Sequence, residues 1–228
     1  MAKKPVKAPK KQLKAKPASN RKPALLVTGG AGYIGSHTVR MLAAAGENVV
    51  VLDDLVYGHR EALVDKRVTL VKGRIGDAKL VEGIFKRQPI EAVLHFAAWI
   101  SVGDSMKDPA GYWRNNTIEP IALLEAMRRH GTDKFIFSST AATYGNPKYV
   151  PLDEKHPQEP INPYGMSKLT LERVLAEKNQ ISEAAFRAPL ETAGMLEEYL
   201  RLGERIRGFV TDTAVLLDSA MKQGRSVL

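Results

Sequence analysis

Five short apolar runs recur along the chain from Ala24 onward: Ala24–Thr28, Asn48–Leu52, Val68–Val71, Ala92–Phe96 and Lys134–Ser138. Each is too short for a helix and too uniformly apolar for a strand with one wet face. The pattern therefore predicts strands covered on both sides. Between them, Tyr33–Ala45, Ala78–Arg87 and Thr117–Arg129 carry apolar residues at helical spacing, and Gly46 and Gly131 follow two of these as stop signals. A further helix, from Tyr164 to about Lys178, follows a Pro-rich loop, with Pro163 at its start. Strands alternating with helices imply βαβ units and a parallel sheet. The expected fold is α/β, a Rossmann-type doubly wound parallel sheet, truncated, with a helical C-terminal appendage.

Three segments are expected: a basic tail over 1–23, a nucleotide-binding domain over 24–176 and a helical stretch over 177–228. The tail holds nine of the 34 Lys and Arg residues, no acid and four prolines. The remaining chain then carries 25 basic and 25 acidic residues, so the +9 net charge belongs to the tail and not to a patch on the fold. A segment so poor in large apolar residues cannot offset its ordering entropy and is expected to be disordered. A solubilising extension is favoured over transient contact with RNA or acidic lipid, so no specific nucleic-acid partner is expected. No apolar run approaches the roughly 20 residues of a membrane span. The chain has no cysteine, which removes thiolate catalysis and disulfides and suits a reducing cytoplasm.

The first strand runs directly into Thr28-Gly29-Gly30-Ala31-Gly32-Tyr33-Ile34-Gly35. Gly29 permits a tight turn, Gly32 lets backbone approach a pyrophosphate, and Gly35 lets the helix pack closely on the sheet. The helix N-terminus offers free N–H groups and a partial positive charge to phosphate. Glycines alone would be weak evidence, since any turn can need them; the strand–loop–helix context points to a dinucleotide. Asp53 ends the second strand, where an acid accepts hydrogen bonds from an adenosine ribose and repels a 2′-phosphate, favouring NAD over NADP. With Asp54 beside it, a plain turn residue is the competing reading.

Tyr164 and Lys168 lie four apart, on one face of a helix. A nearby ammonium stabilises a phenolate, so Tyr164 is a candidate base. Such a pair is common on any helix; its place behind a dinucleotide loop is what makes it a catalytic candidate. Ser138, Ser139 and Thr140 follow the fifth strand, and ligands of open parallel sheets bind at the carboxyl ends of strands. His95 is read as a satisfied core histidine, and Trp99 as a cofactor-pocket or core residue.

These residues resemble the extended short-chain dehydrogenase/reductase family, and within it the UDP-glucose 4-epimerase branch. The resemblance rests on TGGAGYIGSH (28–37), VVVLDDLVYGHREAL (49–63), VLHFAAWISVGDS (93–105), RNN (114–116), KFIFSSTAATYG (134–145) and NPYGMSKLTLERVL (162–175). It implies NAD as cofactor, held by Gly29, Gly32, Tyr33, Ile34, Gly35, Asp53, Ile75, Phe96, Ala97, Asn115, Tyr164 and Lys168. It implies Tyr164, Lys168 and Thr140 as the catalytic group, a UDP-sugar as substrate, and epimerisation at C4 through a transient 4-keto sugar. Dehydratases of the family follow the threonine with Asp-Glu; here Ala141-Ala142 follow, which favours epimerisation. Other NAD-dependent sugar-nucleotide dehydratases, decarboxylases or reductases, and a non-catalytic NAD-binding module, stand as alternatives. The family's dimer uses helices retained here, which leaves a homodimer open.

Two departures from the pattern stand out. Where the family reads Gly-Asp-Ile-x-Asp, this chain reads Gly73-Arg74-Ile75-Gly76-Asp77. Arg74 cannot accept the hydrogen bond that the resemblance gives to the adenine amino group; it is expected to stack on the base or reach a phosphate. Beyond Glu177 the family's next strand and substrate lobe are not recognisable. The helical-looking stretch there, LEEYLRLGERIRGFVTDTAVLLDSAMKQGRSVL, is similar to an internal segment of the adenylosuccinate synthetase family, so a chimera or a rearranged reading frame is expected, with a natural divergent cap as the alternative. Catalytic turnover by the chain is expected to suffer accordingly.

Overall fold

The computed structural model describes residues 22–176. Five strands, β1 (Ala24–Thr28), β2 (Val49–Asp53), β3 (Thr69–Lys72), β4 (Ile90–His95) and β5 (Lys134–Phe137), form one sheet in the order β3-β2-β1-β4-β5. Every pairing is parallel. The helices are α1 (Tyr33–Ala44), α2 (Ala78–Arg87), α3 (Val102–Lys107), α4 (Pro109–Trp113), α5 (Glu119–His130) and α6, which begins at 163 and runs to the last described residue, 176. The expected appendage over 177–228, and residues 1–21 of the tail expected over 1–23, lie outside the described residues.

Why these strands read as continuous apolar runs is visible in β1. Successive strand side chains point to opposite faces, and both faces are covered. Ala24 and Leu26 join Val81, Ile84 and Phe85 of α2, Leu123 and Met127 of α5 and Leu171 of α6 in one cluster. Leu25 and Val27 join Val39 and Leu42 of α1 in the other. Every residue of β1 and β2 is buried. Fully burying one such aliphatic side chain contributes about 1.5–3 kcal/mol, so the two layers are the main hold on the sheet. The two outer strands among the described residues depart from the expected two-sided cover: in β5 all four positions are only half-buried, and in β3 Thr69 and Lys72 are exposed.

Helix ends follow local chemistry. Asp77 caps α2 by accepting the Leu80 N–H at 3.0 Å. Gly46 lies just past the end of α1, and the Gly131 N–H bonds back to Arg128 O at the end of α5. The helix expected from Thr117 starts instead at Glu119, preceded by a π turn over Arg114–Ile118. Such wide turns are frequent at functional sites.

Candidate cofactor and active site

The strand order reverses between β1 and β4: from β1 the chain builds outward to β2 and β3, then returns to β4 on the other side. Carboxyl ends of strands at such a switch point leave a crevice. A cavity of about 650 Å³ occupies it. All twelve residues expected at the cofactor, from Gly29 to Lys168, line this one cavity.

The glycine turn is built by close approach. Gly29 has φ +69°, and a Cβ there would lie 2.5 Å from the backbone nitrogen of Ala97. A Cβ on Gly35 would fall 2.1 Å from Gly29 O, so this glycine seats α1 on its own loop. The contact with the sheet, expected of Gly35, belongs to Gly30, whose Cβ would meet the Val51 side chain at 2.8 Å. Around Gly32 a Cβ would meet only Gly29 O, at 3.3 Å. Helix α1 starts there with neither a side-chain cap nor an acid in its first turn. Its first N–H groups have no partner within the helix, and an uncapped positive helix end beside open backbone suits a pyrophosphate. These residues fit NAD.

Asp53 is buried at the end of β2, its Oδ2 accepting the Ala31 N–H at 2.9 Å and its Oδ1 the Leu55 N–H at 2.8 Å. It braces the glycine turn and, since an ionised carboxylate has about four acceptor positions, retains capacity for ribose hydroxyls. The loop that follows is pressed in as well: a Cβ on Gly58 would lie 2.7 Å from Asp53 Oδ1. Arg74 departs from expectation. Its guanidinium donates to Asn115 Oδ1 at 2.8 Å, Glu119 Oε1 at 2.9 Å and Asp54 Oδ2 at 3.3 Å. Three side-chain acceptors already engage the group expected to stack on adenine or meet a phosphate.

At the other strand ends, Tyr164 and Lys168 project from α6 into the same cavity. The Lys168 ammonium donates to Ser138 O at 2.6 Å and sits 4.4 Å over the Phe137 ring. Burial pushes its pKa down to about 8, against the nearby Glu172 charge, which raises it. Glu172 also takes a hydrogen bond from Ser139 Oγ and another from Gln158 at 2.7 Å. Tyr164 packs edge-on to Tyr112, which packs edge-on to Trp99. Ser138 and Ser139 line the cavity and Thr140 does not. The Thr140 hydroxyl caps the short 3-10 turn Ala141–Thr143 by accepting the Ala142 N–H at 3.1 Å, so this structure does not bring it to the cavity with Tyr164.

His95 is a core residue as expected. It is 1% exposed, its Nδ1 lies 2.6 Å from Thr28 Oγ1, and it stacks on Phe137. Burial holds its pKa near 3, with the Lys168 charge a smaller cause. The residue that sequence reasoning passed over is Asn116. Its carbonyl accepts the N–H of Trp99 and an amide hydrogen of Asn115, both at 2.9 Å. Its amide donates to Trp99 O at 2.9 Å and Ser167 Oγ at 3.2 Å. One buried side chain thus ties the loop after β4 to α6. Its neighbour Asn115 carried the only local signal, and a single RNN run gives no hint of a four-way lock.

A parallel sheet in this order, with a glycine turn on α1 and an acid at the end of β2, defines a dinucleotide-binding protein of the Rossmann type. Residues 25–186 match the NAD dependent epimerase/dehydratase family, and the chain belongs to that family. It is 54% identical over 151 residues to a UDP-glucose 4-epimerase of Lacticaseibacillus casei, covering 66% of this chain and 45% of that one. It is 51% identical to a UDP-glucose 4-epimerase of Halalkalibacterium halodurans over the same shares. A UDP-glucose 4-epimerase from Brucella ovis in complex with NAD superposes with TM-score 0.65 at 44% identity, over 68% of this chain and 47% of that one. One from Thermotoga maritima with UDP-glucose gives TM-score 0.64 at 40% identity, over 67% and 50%. The chain spans about half the length of the relatives it matches. Among the described residues, no helix is long and apolar enough to cross a membrane.

Proposed function

We propose that this chain binds NAD across the β1–β4 crevice and contributes the cofactor half of an enzyme that inverts C4 of a UDP-hexose. The observation that carries the reading is the convergence of the glycine turn, Asp53, Tyr164 and Lys168 on one cavity at the switch point. The relatives named as UDP-glucose 4-epimerases, one holding NAD and one UDP-glucose, support the choice of cofactor and sugar nucleotide. In this reading Gly29, Gly32, Tyr33, Ile34 and Gly35 seat the pyrophosphate, and Asp53 takes the adenosine ribose. Ile75, Phe96, Ala97 and Asn115 border the bound molecule. Tyr164 removes the proton of the sugar 4-hydroxyl and later returns one. Lys168 supplies positive charge along the same helix face, and Thr140 completes the group once its capping bond is exchanged for the substrate hydroxyl. When bound, NAD accepts a hydride and gives it back, so it is regenerated in each cycle. A cytoplasmic homodimer belongs to the same proposal.

Conversion of UDP-galactose to UDP-glucose by the purified chain with added NAD tests this. Turnover that Tyr164→Phe abolishes, with NAD binding retained, is the expected result. A second reading, a NAD-binding module without turnover, is favoured by the 45% share of the relatives' length that the chain covers. NAD binding with no conversion by the unaltered chain would select it.

A further inference from the structure

One residue that lines the cavity carries a polar atom that nothing among the described residues uses. Among the described residues, Glu119 Oε2 is the one buried side-chain oxygen or nitrogen without a hydrogen-bond partner. Its twin, Oε1, accepts from Arg74 at 2.9 Å. The carboxylate packs close over Gly76, where a Cβ would fall 2.6 Å from Glu119 Cδ. Buried polar atoms in native proteins are overwhelmingly paired, and an unpaired one calls for an explanation. A carboxylate held by one oxygen, with the other left over, is a ready acceptor.

Its position says what kind of donor it awaits. Glu119 lines the cavity together with Asp54, Gly73 and Arg74, beside the ends of β2 and β3. Asp53, at the end of β2, is where the ribose of an adenosine half is received. A base attached to that ribose lies toward this wall. The neighbouring acceptors each already hold a donor, Asn115 Oδ1 and Asp54 Oδ2 from Arg74 and Asp54 Oδ1 from the Val56 N–H at 3.1 Å, whereas Glu119 Oε2 holds none. Adenine carries a donor, its exocyclic amine, on the edge farthest from the sugar.

We propose that Glu119 reads the base of the bound dinucleotide: Oε2 accepts a hydrogen bond from the adenine amine, while Arg74 grips Oε1 and sets the plane of the carboxylate. The terminal torsion of a glutamate is soft, so a small turn carries Oε2 from its closed position to the cavity. Arg74 then acts through Glu119 as a positioning residue. The inference rests on the NAD reading above.

Calorimetric titration of the full chain with NAD and with nicotinamide hypoxanthine dinucleotide tests it. In the second ligand a keto oxygen replaces the amine and cannot donate. The unaltered chain is expected to favour NAD by about tenfold or more, the worth of one hydrogen bond to a charged acceptor. Glu119→Gln offers an amide that donates to the keto oxygen, so the preference should shrink to less than about threefold or invert. Thermal unfolding establishes that the variant is folded; if it is not, the preference of the unaltered chain decides. Equal affinity for both ligands in the unaltered chain overturns the proposal, as does a preference that Glu119→Gln leaves in place. Binding of neither ligand overturns the cofactor reading itself, which is a different result from binding both alike.

Discussion

Adding one methyl group to Gly29 or to Gly46 separates two kinds of glycine. Both have left-handed backbone, φ +69° and φ +83°. An alanine pays about 1–2 kcal/mol for that conformation. The surroundings differ. At Gly46 a Cβ meets nothing within 4 Å, whereas at Gly29 it lies 2.5 Å from Ala97 N, 2.8 Å from Ala97 Cα and 2.8 Å from Phe96 C. All three are backbone atoms at the end of β4, which a rotamer change cannot move. Overpacking of this kind costs about a further 1–3 kcal/mol. In a domain of this size 1 kcal/mol is about 2–4 °C of Tm. Gly46→Ala should therefore lower Tm by about 2–8 °C and Gly29→Ala by about 4–20 °C, as read by circular dichroism. Affinity for NAD should divide more sharply. Gly46→Ala lies at the far end of α1 and should leave it unchanged, while Gly29→Ala displaces the phosphate turn and should weaken it at least about tenfold, or 1.4 kcal/mol. If the two variants unfold and bind alike, the close approach between the glycine turn and the β4 end does not govern the site.

Three further outcomes follow from buried groups. The His95 pKa is lowered to about 3 by burial, while an unfolded histidine titrates near about 6.5. Between those values the unfolded chain binds the extra proton, so stability falls with falling pH by up to about 1.4 kcal/mol per unit. The Tm of His95→Gln should fall less steeply than that of the parent from about pH 6.5 to pH 4.5; parallel curves would count against the buried neutral ring. The Glu172 charge raises the pKa of Lys168 against a larger lowering by burial. Glu172→Gln should therefore move the Lys168 pKa still further below about 8, readable by NMR of the isotopically methylated lysine, and an unchanged or raised value would refute the coupling. Leu123, fully buried between α5 and the sheet, should cost about 2–5 kcal/mol as alanine; a loss below about 0.5 kcal/mol in urea unfolding would show that α5 is not packed as described.

The fold was legible because its signals are local. β1 and α2 fall where apolar runs and spacing put them, Ala24–Thr28 and Ala78–Arg87, and the other expected boundaries within the described residues move by a residue or two, while the short helices α3 and α4 carried no such pattern. The glycine turn and the acid at the end of β2 were legible because each directly follows or ends an apolar run that announces its strand, although their contacts, Gly29 with Ala97 and Asp53 with Ala31, are long in sequence. Illegible were the locks between distant residues. Arg74 meets Asn115 and Glu119 across 41 and 45 positions, and Asn116 meets Ser167 across 51. Nothing in the residues around Arg74 announces that its charge will be taken up before it can reach a nucleotide.

The π turn over Arg114–Ile118 explains how adjacent asparagines serve opposite tasks. Consecutive residues of a helix point about 100° apart, so Asn115 and Asn116 cannot face the same partner. Asn115 turns to Arg74 beside the ends of β2 and β3, and Asn116 turns to Trp99 and Ser167 of α6. The wide turn leads straight into α5 through Glu119, whose Oε1 receives Arg74. A segment of five residues therefore links the wall around Arg74 to the helix that carries Tyr164 and Lys168. Because Asn116 uses all four of its hydrogen-bonding positions, any shift of α6 must be felt at the loop after β4, which forms the cavity wall between the two ends. Ser167 on α6, Asn116, Asn115, Arg74, and Glu119 and Asp54 are thus joined by one run of hydrogen bonds that spans the cavity wall from α6 to the end of β2.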